Sequence, residues 1–325
     1  MSAPVDKIKK VLKDDIKKYN QTFSSIMQSD VALVDKIAKY IVRHKGKGLR
    51  PLLVLMSARL CGIPNKNTYI LASVVELLHT ASLVHDDVVD YASVRRGFPS
   101  INAMWKNKIS VLMGDYLLAK SLIGATESGK LEYMNILANT SRRLSKGELL
   151  QIEKSRKLDI TEAEYFKIVS DKTAALISAC CSLGALSVDA NDDELSSIQQ
   201  YGEHLGIAFQ IKDDLLDYEG KQNIVGKPIG ADLKEKKITL PLLLSFKKAP
   251  IKEKEFIIKI LKKGANTHDV KHIIEFCKRY EGISKAMESA NSYAEKAKSN
   301  LNIFPENEFK EIALQFVDYV LNRSK

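Results

Sequence analysis

Two five-residue stretches could do chemistry in this sequence: Asp86-Asp87-Val88-Val89-Asp90 and Asp213-Asp214-Leu215-Leu216-Asp217. On a helix, Asp86 and Asp90 are one turn apart and leave the same face, as do Asp213 and Asp217; Asp87 and Asp214 sit about 100° around from their neighbours. Three carboxylates in one turn repel each other, and cations or protonation relieve them. Hard oxygen ligands, with His85 as the nearby nitrogen donor, suit Mg²⁺ rather than zinc. Mg²⁺ keeps waters and shares its sphere with substrate phosphates, so the repeated trio points to a phosphate or diphosphate bridged between two helices. One acidic run is commonly a solvated helix end. Repetition with the same aliphatic filler, each time closing an apolar helix, favours the metal reading.

A diphosphate needs further positive charge, and the sequence offers it in compact places. Gly46-Lys47-Gly48-Leu49-Arg50-Pro51 sets a Lys and an Arg on a glycine-bearing turn before a helix, suited to anion recognition. Arg95 and Arg96 follow the first trio closely enough to reach the same cleft, and arginine makes forked contacts with phosphate oxygens. Lys172 and Thr173 open the most apolar stretch, and Lys227 and Lys237 lie on a glycine-rich loop. His79, two turns before Asp86, is either a hydrogen-bonded core histidine or a donor to the diphosphate.

The elements that must position these groups read as helices. In Lys66–Asp90 apolar residues recur at three- and four-residue spacing (Leu71, Val74, Val75, Leu78, Ala81), and similar patterns cover 31–43, 52–60, 131–152, 162–169, 195–218, 252–263, 269–280, 283–301 and 308–322. Period-2 strand segments and fixed-period repeats are not evident. The predicted fold class is all-α: one large helical bundle over residues 1–325 with a buried central helix. With 45% hydrophobic and 28% charged residues the composition excludes disorder, and 16 Gly and 8 Pro are too few for an all-β chain. A net charge of +10 fits an anionic partner without choosing nucleic acid, membrane surface or phosphorylated small molecule. Four cysteines without a CxxC pair are expected to be reduced thiols of a cytoplasmic protein. The apolar window Thr173–Val188 is shorter than the ~20 residues that span a bilayer, so a buried helix is expected and no membrane span. The loop Glu219–Lys237 is the candidate lid.

Seven segments, GKGLRP, ELLHTASLVHDDVVD, RRG, GELLQ, DKTAAL, GIAFQIKDDLLDY and GKPIGADLKEKKITLP, occur in this order. In them the chain resembles the trans-isoprenyl diphosphate synthases, or polyprenyl synthetases. The resemblance covers roughly residues 40–245 by motif, and implies helices around a deep central cavity (the isoprenoid synthase fold), a homodimer and Mg²⁺, three ions per active site. It implies head-to-tail joining of an allylic diphosphate to isopentenyl diphosphate, with release of diphosphate. By the same resemblance Asp86, Asp90 and Asp213 are metal ligands, with Asp87, Asp214 and Asp217 completing the trios. Lys47, Arg50, His79 and Arg96 match the isopentenyl diphosphate site. Arg95, Lys172, Lys227 and Lys237 match groups holding the allylic diphosphate, and Thr173 and Gln210 match positions beside the reacting carbons.

One turn deeper than Asp86, the small Ala81 and Ser82 stand where bulky aromatics block the tunnel in short-chain members. A medium or long product is therefore expected, such as that of an octaprenyl diphosphate synthase, with Tyr133 and Leu137 as candidate floor; the product would be handed to a membrane. The alternatives are a geranylgeranyl or farnesyl diphosphate synthase, a class I terpene cyclase, a non-catalytic subunit of a heteromeric synthase, and a basic nucleic-acid-binding bundle. Both trios are complete, unlike those of degenerate subunits, and no nucleic-acid motif or dense basic stripe is present.

Overall fold

Side-chain caps fix where several helices begin. Asn65 accepts from the backbone N–H groups of Asn67 and Thr68 at 2.9 and 3.3 Å, while Thr68 Oγ1 accepts from Asn65 N at 3.1 Å, a reciprocal box that opens the helix bearing the first trio. Thr161 with Glu164 and Asn266 with Asp269 start two more in the same way. The computed structural model describes residues 3–44, 46–218 and 229–323.

The elements run α1 (Ala3–Val11), α2 (Lys13–Met27), α3 (Ala32–Arg43), α4 (Leu49–Cys61), α5 (Lys66–Val89), β1 (Val94–Arg95), β2 (Phe98–Pro99), α6 (Ile101–Glu127), α7 (Leu131–Lys157) and α8 (Glu162–Val169). A π-helical turn, Ser170–Ala174, follows, then α9 (Ala175–Leu186), α10 (Asp192–Leu216), α11 (Ala231–Lys234), α12 (Leu240–Lys248), α13 (Ile251–Lys263), α14 (Thr267–Arg279), α15 (Gly282–Ser299) and α16 (Glu308–Asn322). The all-α class holds. The β1–β2 pair is a correction to the strand-free expectation, since strands this short have no period to read. Helices α1, α2, α6, α11 and α12 also lie outside the sequence-predicted segments, α11 within the stretch read as the loop Glu219–Lys237. In α6 a break at Lys106 (φ 70) interrupts the helical phase.

The chain folds as two compact units, each built from three segments. The first comprises 1–141, 176–199 and 303–313. Its centre is α5, whose Leu71, Val74, Val75, Leu77 and Ala81 are all buried. His85 Nε2 meets Val111 O of α6 at 3.2 Å, and Asn65 Nδ2 donates to Ser187 O at 2.6 Å beyond α9. The second unit comprises 142–175, 200–302 and 314–325. Its core gathers Tyr165, Ile211, Leu215, Leu233, Leu242, Ile273 and Phe276.

Among the described residues, three helical stretches are long and apolar enough, by length and composition, to cross a membrane: Lys66–Val89, Ile101–Glu127 and Glu162–Leu186. The third runs through the π-turn and so outgrows the window visible in the sequence. The most apolar parts of the first and third are 72% and 83% buried inside protein, and that of the second 39%.

Candidate active site

In the first unit, α5 ends at the first trio. Asp90 N donates to Asp86 O at 2.8 Å, and Ala92 N to Asp87 O at 3.0 Å. Asp86 is half-buried, Asp87 buried and Asp90 exposed. Asp87 Oδ1 accepts from Arg95 Nε at 2.8 Å and Nη2 at 2.6 Å. The hairpin aims this arginine. Pairing of Arg95 with Phe98 leaves Arg96-Gly97 as a two-residue turn with φ of 56° and 80°, the left-handed pair that a tight hairpin needs. A non-glycine there costs about 1 kcal/mol, a strain of the kind found at binding sites. In return the Arg96 guanidinium lies over Gly46, where a Cβ would stand 2.5 Å from Cζ.

His79 shares a pocket with Glu76, Thr80, Asp87, Arg95 and Arg96. Burial first, and then the charges of Arg50, Arg96 and Arg95, hold its pKa well below 6.5, so the imidazole is neutral at pH 7. Burial also lowers Arg50, whose Nε is enclosed without a hydrogen-bond partner. Arg95 and Arg96 line this pocket beside the neutral imidazole, and the charge of Arg50 reaches it, so positive charge gathers where an anion could bind. Lys47 is exposed on the turn before α4.

In the second unit, the π-turn and α10 bring Lys172, Thr173, Gln210 and Asp214 to one pocket, which Lys237 and Asp232 also line. Thr173 Oγ1 donates to Gln210 Oε1 at 2.7 Å, and Gln210 Nε2 to Asp214 Oδ1 at 2.8 Å. Tyr165 Oη donates to Asp214 Oδ2 at 2.6 Å. Burial, with the nearby charge of Asp232, still pushes the Asp214 carboxyl well above its ordinary 3.8. Lys172 Nζ pairs with Glu148 and donates to Gln151 Oε1 at 3.2 Å. Asp213, half-buried, accepts from Arg323 Nη2 at 3.0 Å. Asp217 caps α11, accepting from the N–H groups of Ala231 and Asp232 at 3.0 and 3.1 Å. Burial and Asp232 raise it to about 6. Lys227 and part of the proposed lid lie outside the described residues.

The donor set fits Mg²⁺. Each trio offers oxygens only, in the second unit burial and the charge of Asp232 push the Asp214 and Asp217 carboxyls up, and Mg²⁺ needs only one or two carboxylates beside waters and phosphate oxygens. Among the described residues no three His, Cys, Asp or Glu side chains form a complete metal cage of their own. Ala81 is buried, and Ser82, half-buried, donates to His79 O at 2.8 Å. Tyr133 and Leu137 are fully buried, and Tyr133 Oη reaches Leu186 O at 3.3 Å, at the same end as the first turn of α5. The roles of Glu76, Tyr165, Asp232 and Arg323 were not legible in the sequence. Of these, Glu76 opens ELLHTASLVHDDVVD and Asp232 lies within GKPIGADLKEKKITLP, whereas Tyr165 and Arg323 lie in none of the seven segments.

Residues 31–277 match the family described as polyprenyl synthetase. An octaprenyl diphosphate synthase of Haemophilus influenzae is 32% identical over 98% of this chain and 97% of its own length. A solved decaprenyl diphosphate synthase from Rhodobacter capsulatus superposes with a TM-score of 0.93 at 36% identity, covering 99% of both chains. A polyprenyl synthase from Caulobacter crescentus, solved with calcium and isoprenyl diphosphate, gives 0.92 at 35% identity, covering 99% of this chain and 98% of that one.

Proposed function

We propose how the residues of this chain, which belongs to the polyprenyl synthetase family and is a prenyltransferase making a medium- to long-chain polyprenyl diphosphate, divide the reaction among themselves. Isopentenyl diphosphate binds at Lys47, Arg50, His79 and Arg96. The allylic diphosphate is held by Arg95, Lys172, Lys227 and Lys237, with Asp86, Asp90 and Asp213 as ligands for three Mg²⁺ ions. The observation carrying this reading is the pocket that Arg95 and Arg96 line beside a neutral His79, within reach of the Arg50 charge and next to a carboxylate-tipped helix. Bound Mg²⁺ supplies charge stabilisation to the leaving diphosphate.

Lys and Arg side chains neutralise charge building on the leaving group, so the allylic C–O bond breaks with its electron pair on diphosphate. The isopentenyl double bond, positioned by its own anion pocket, forms the new C–C bond to the allylic carbon. Proton loss then restores a double bond; the released diphosphate is the proposed base. Apolar walls keep water from the cation.

Small Ala81 and Ser82 let the growing tail pass along α5. At about 1.5 Å per residue, its first turn, beside Tyr133, lies about 30 Å from Asp86, room for roughly six five-carbon units at ~5 Å each. Ala81→Phe or Ser82→Phe is expected to shorten the product by several units; unchanged length in both would defeat the tunnel.

Val111, Leu112 and Ile123 of α6 are exposed within one arc of the helix, which supports a homodimer across that face. Leu112→Glu should convert a dimer to monomers in sedimentation. Four free thiols support a cytoplasmic location, from which the product passes to a membrane. The test of the reaction is the purified chain with isopentenyl diphosphate, farnesyl diphosphate and Mg²⁺. Polyprenyl products longer than four units are expected; no consumption of isopentenyl diphosphate would refute it.

A further inference from the structure

Lys172 and Thr173 do not sit on an ordinary helix. They lie in the π-turn Ser170–Ala174 between α8 and α9, where one extra residue shifts the helical phase. A phase shift is reversible unless something holds it, and here one arginine touches both the turn and the helix packed against it. Arg143 of α7 donates from Nε to Asp171 Oδ1 at 2.8 Å, and from Nη2 to Ser170 Oγ at 2.7 Å and Glu203 Oε1 at 3.1 Å. Ser170 Oγ closes the ring by donating to Glu203. Glu203 belongs to α10, which carries Gln210, Asp213 and Asp214 two to three turns on.

Two close approaches complete the grip. A Cβ at Gly147, one turn after Arg143, would stand 2.9 Å from Lys172 N; one at Gly206 of α10 would stand 2.5 Å from Ala174 Cα. The next turn of α7 supplies Glu148 and Gln151, which hold Lys172 Nζ. Arg143, Gly147 and Gln151 recur every four residues and so form one ridge of α7 against the π-turn.

We propose that Arg143 is a positioning residue: its fork to Asp171, Ser170 and Glu203 locks the π-turn in the register that presents Lys172 and Thr173 to the allylic diphosphate. The inference rests on the reading of Lys172 and Thr173 given above. Arg143 touches no substrate and acts through the turn. A lysine could meet one carboxylate but not hold both partners in a fork.

The test compares Arg143→Ala, Arg143→Lys, Lys172→Ala and the Arg143→Ala/Lys172→Ala double variant, with calorimetric binding of inorganic diphosphate plus Mg²⁺ as a readout apart from turnover. Arg143→Ala is expected to raise the allylic KM and weaken diphosphate binding by about tenfold or more. The KM for isopentenyl diphosphate should stay within about twofold, and Arg143→Lys should fall in between. The double variant should lose no more than about twofold beyond Lys172→Ala, because two residues acting through one contact are not additive. Additive losses, equal changes in both KM values, or a lowered Tm with normal diphosphate binding would overturn the lock. If Arg143→Ala does not fold, Arg143→Lys decides by the same criteria. An unchanged allylic KM in Lys172→Ala would overturn the role given to Lys172, and the lock with it.

Discussion

The two aspartate trios share one sequence grammar, yet the fold treats them differently. In the first, the inner carboxylate Asp87 is buried against a full positive charge, both Arg95 bonds falling on one oxygen. In the second, the inner carboxylate Asp214 is buried against neutral donors, Tyr165 and Gln210, with Asp232 adding negative charge. Asp90 ends its helix in solvent, whereas Asp217 is spent on capping α11. The difference teaches that the middle acid of each trio holds the frame. The outer acids Asp86, Asp90 and Asp213 are the ligands proposed for the ions, and in the second trio burial with the charge of Asp232 favours either protonation or a bound cation.

The largest expected effects break the comparison outright. Asp86→Ala and Asp213→Ala should each lower kcat by about 10³-fold or more while leaving far-ultraviolet dichroism unchanged; near-normal rate in Mg²⁺ from either would mean the metal ligands lie elsewhere. Next come the inner acids' partners. Arg95→Ala leaves Asp87 buried beside no charge and should cost about 3 kcal/mol of unfolding free energy. Tyr165→Phe removes one neutral donor and should cost about 1–2 kcal/mol. Denaturant titration orders the two, and a reversed order would say that the two inner acids are held alike.

The smallest effects concern pH. Asp217 is raised from 3.8 to about 6, so between those values the folded state binds the proton and the unfolded state does not. Its contribution to stability is full below pH 3.8 and is lost as pH rises through 6. Asp217→Asn should flatten that part of the metal-free Tm–pH curve relative to wild type; parallel curves would assign the capping bonds to a carboxylate of ordinary acidity. His79, depressed below 6.5, works the other way: its contribution is present above 6.5 and lost as pH falls below it. Its ring resonances should show no titration at pH 6.5, and a midpoint there would remove the arginines from its surroundings.

Much of this was legible in the sequence because it is local. Trio spacing, the GKGLRP turn, and the starts and ends of α5, α8 and α16 follow from one-turn periodicity and caps. What stayed hidden depends on approach between distant segments. Arg143 reads as one of many basic residues until Asp171 and Glu203 are seen around it. Tyr165 lies in a predicted helix, but its hydroxyl gains meaning only from Asp214, 49 residues on. Arg323 belongs to a stretch without a motif, and its partner Asp213 is 110 positions away. The hairpin at Arg96-Gly97 shows in sequence only as an RRG tripeptide, because a two-residue strand has no period.

Manganese binding in the presence of inorganic diphosphate, followed by electron paramagnetic resonance, tests the division between outer and inner acids most directly. Asp86→Ala and Asp213→Ala should each bind fewer ions than wild type, while Asp87→Asn and Asp214→Asn keep the full number. Loss of ions from the inner-acid variants, with the outer ones unaffected, would contradict it.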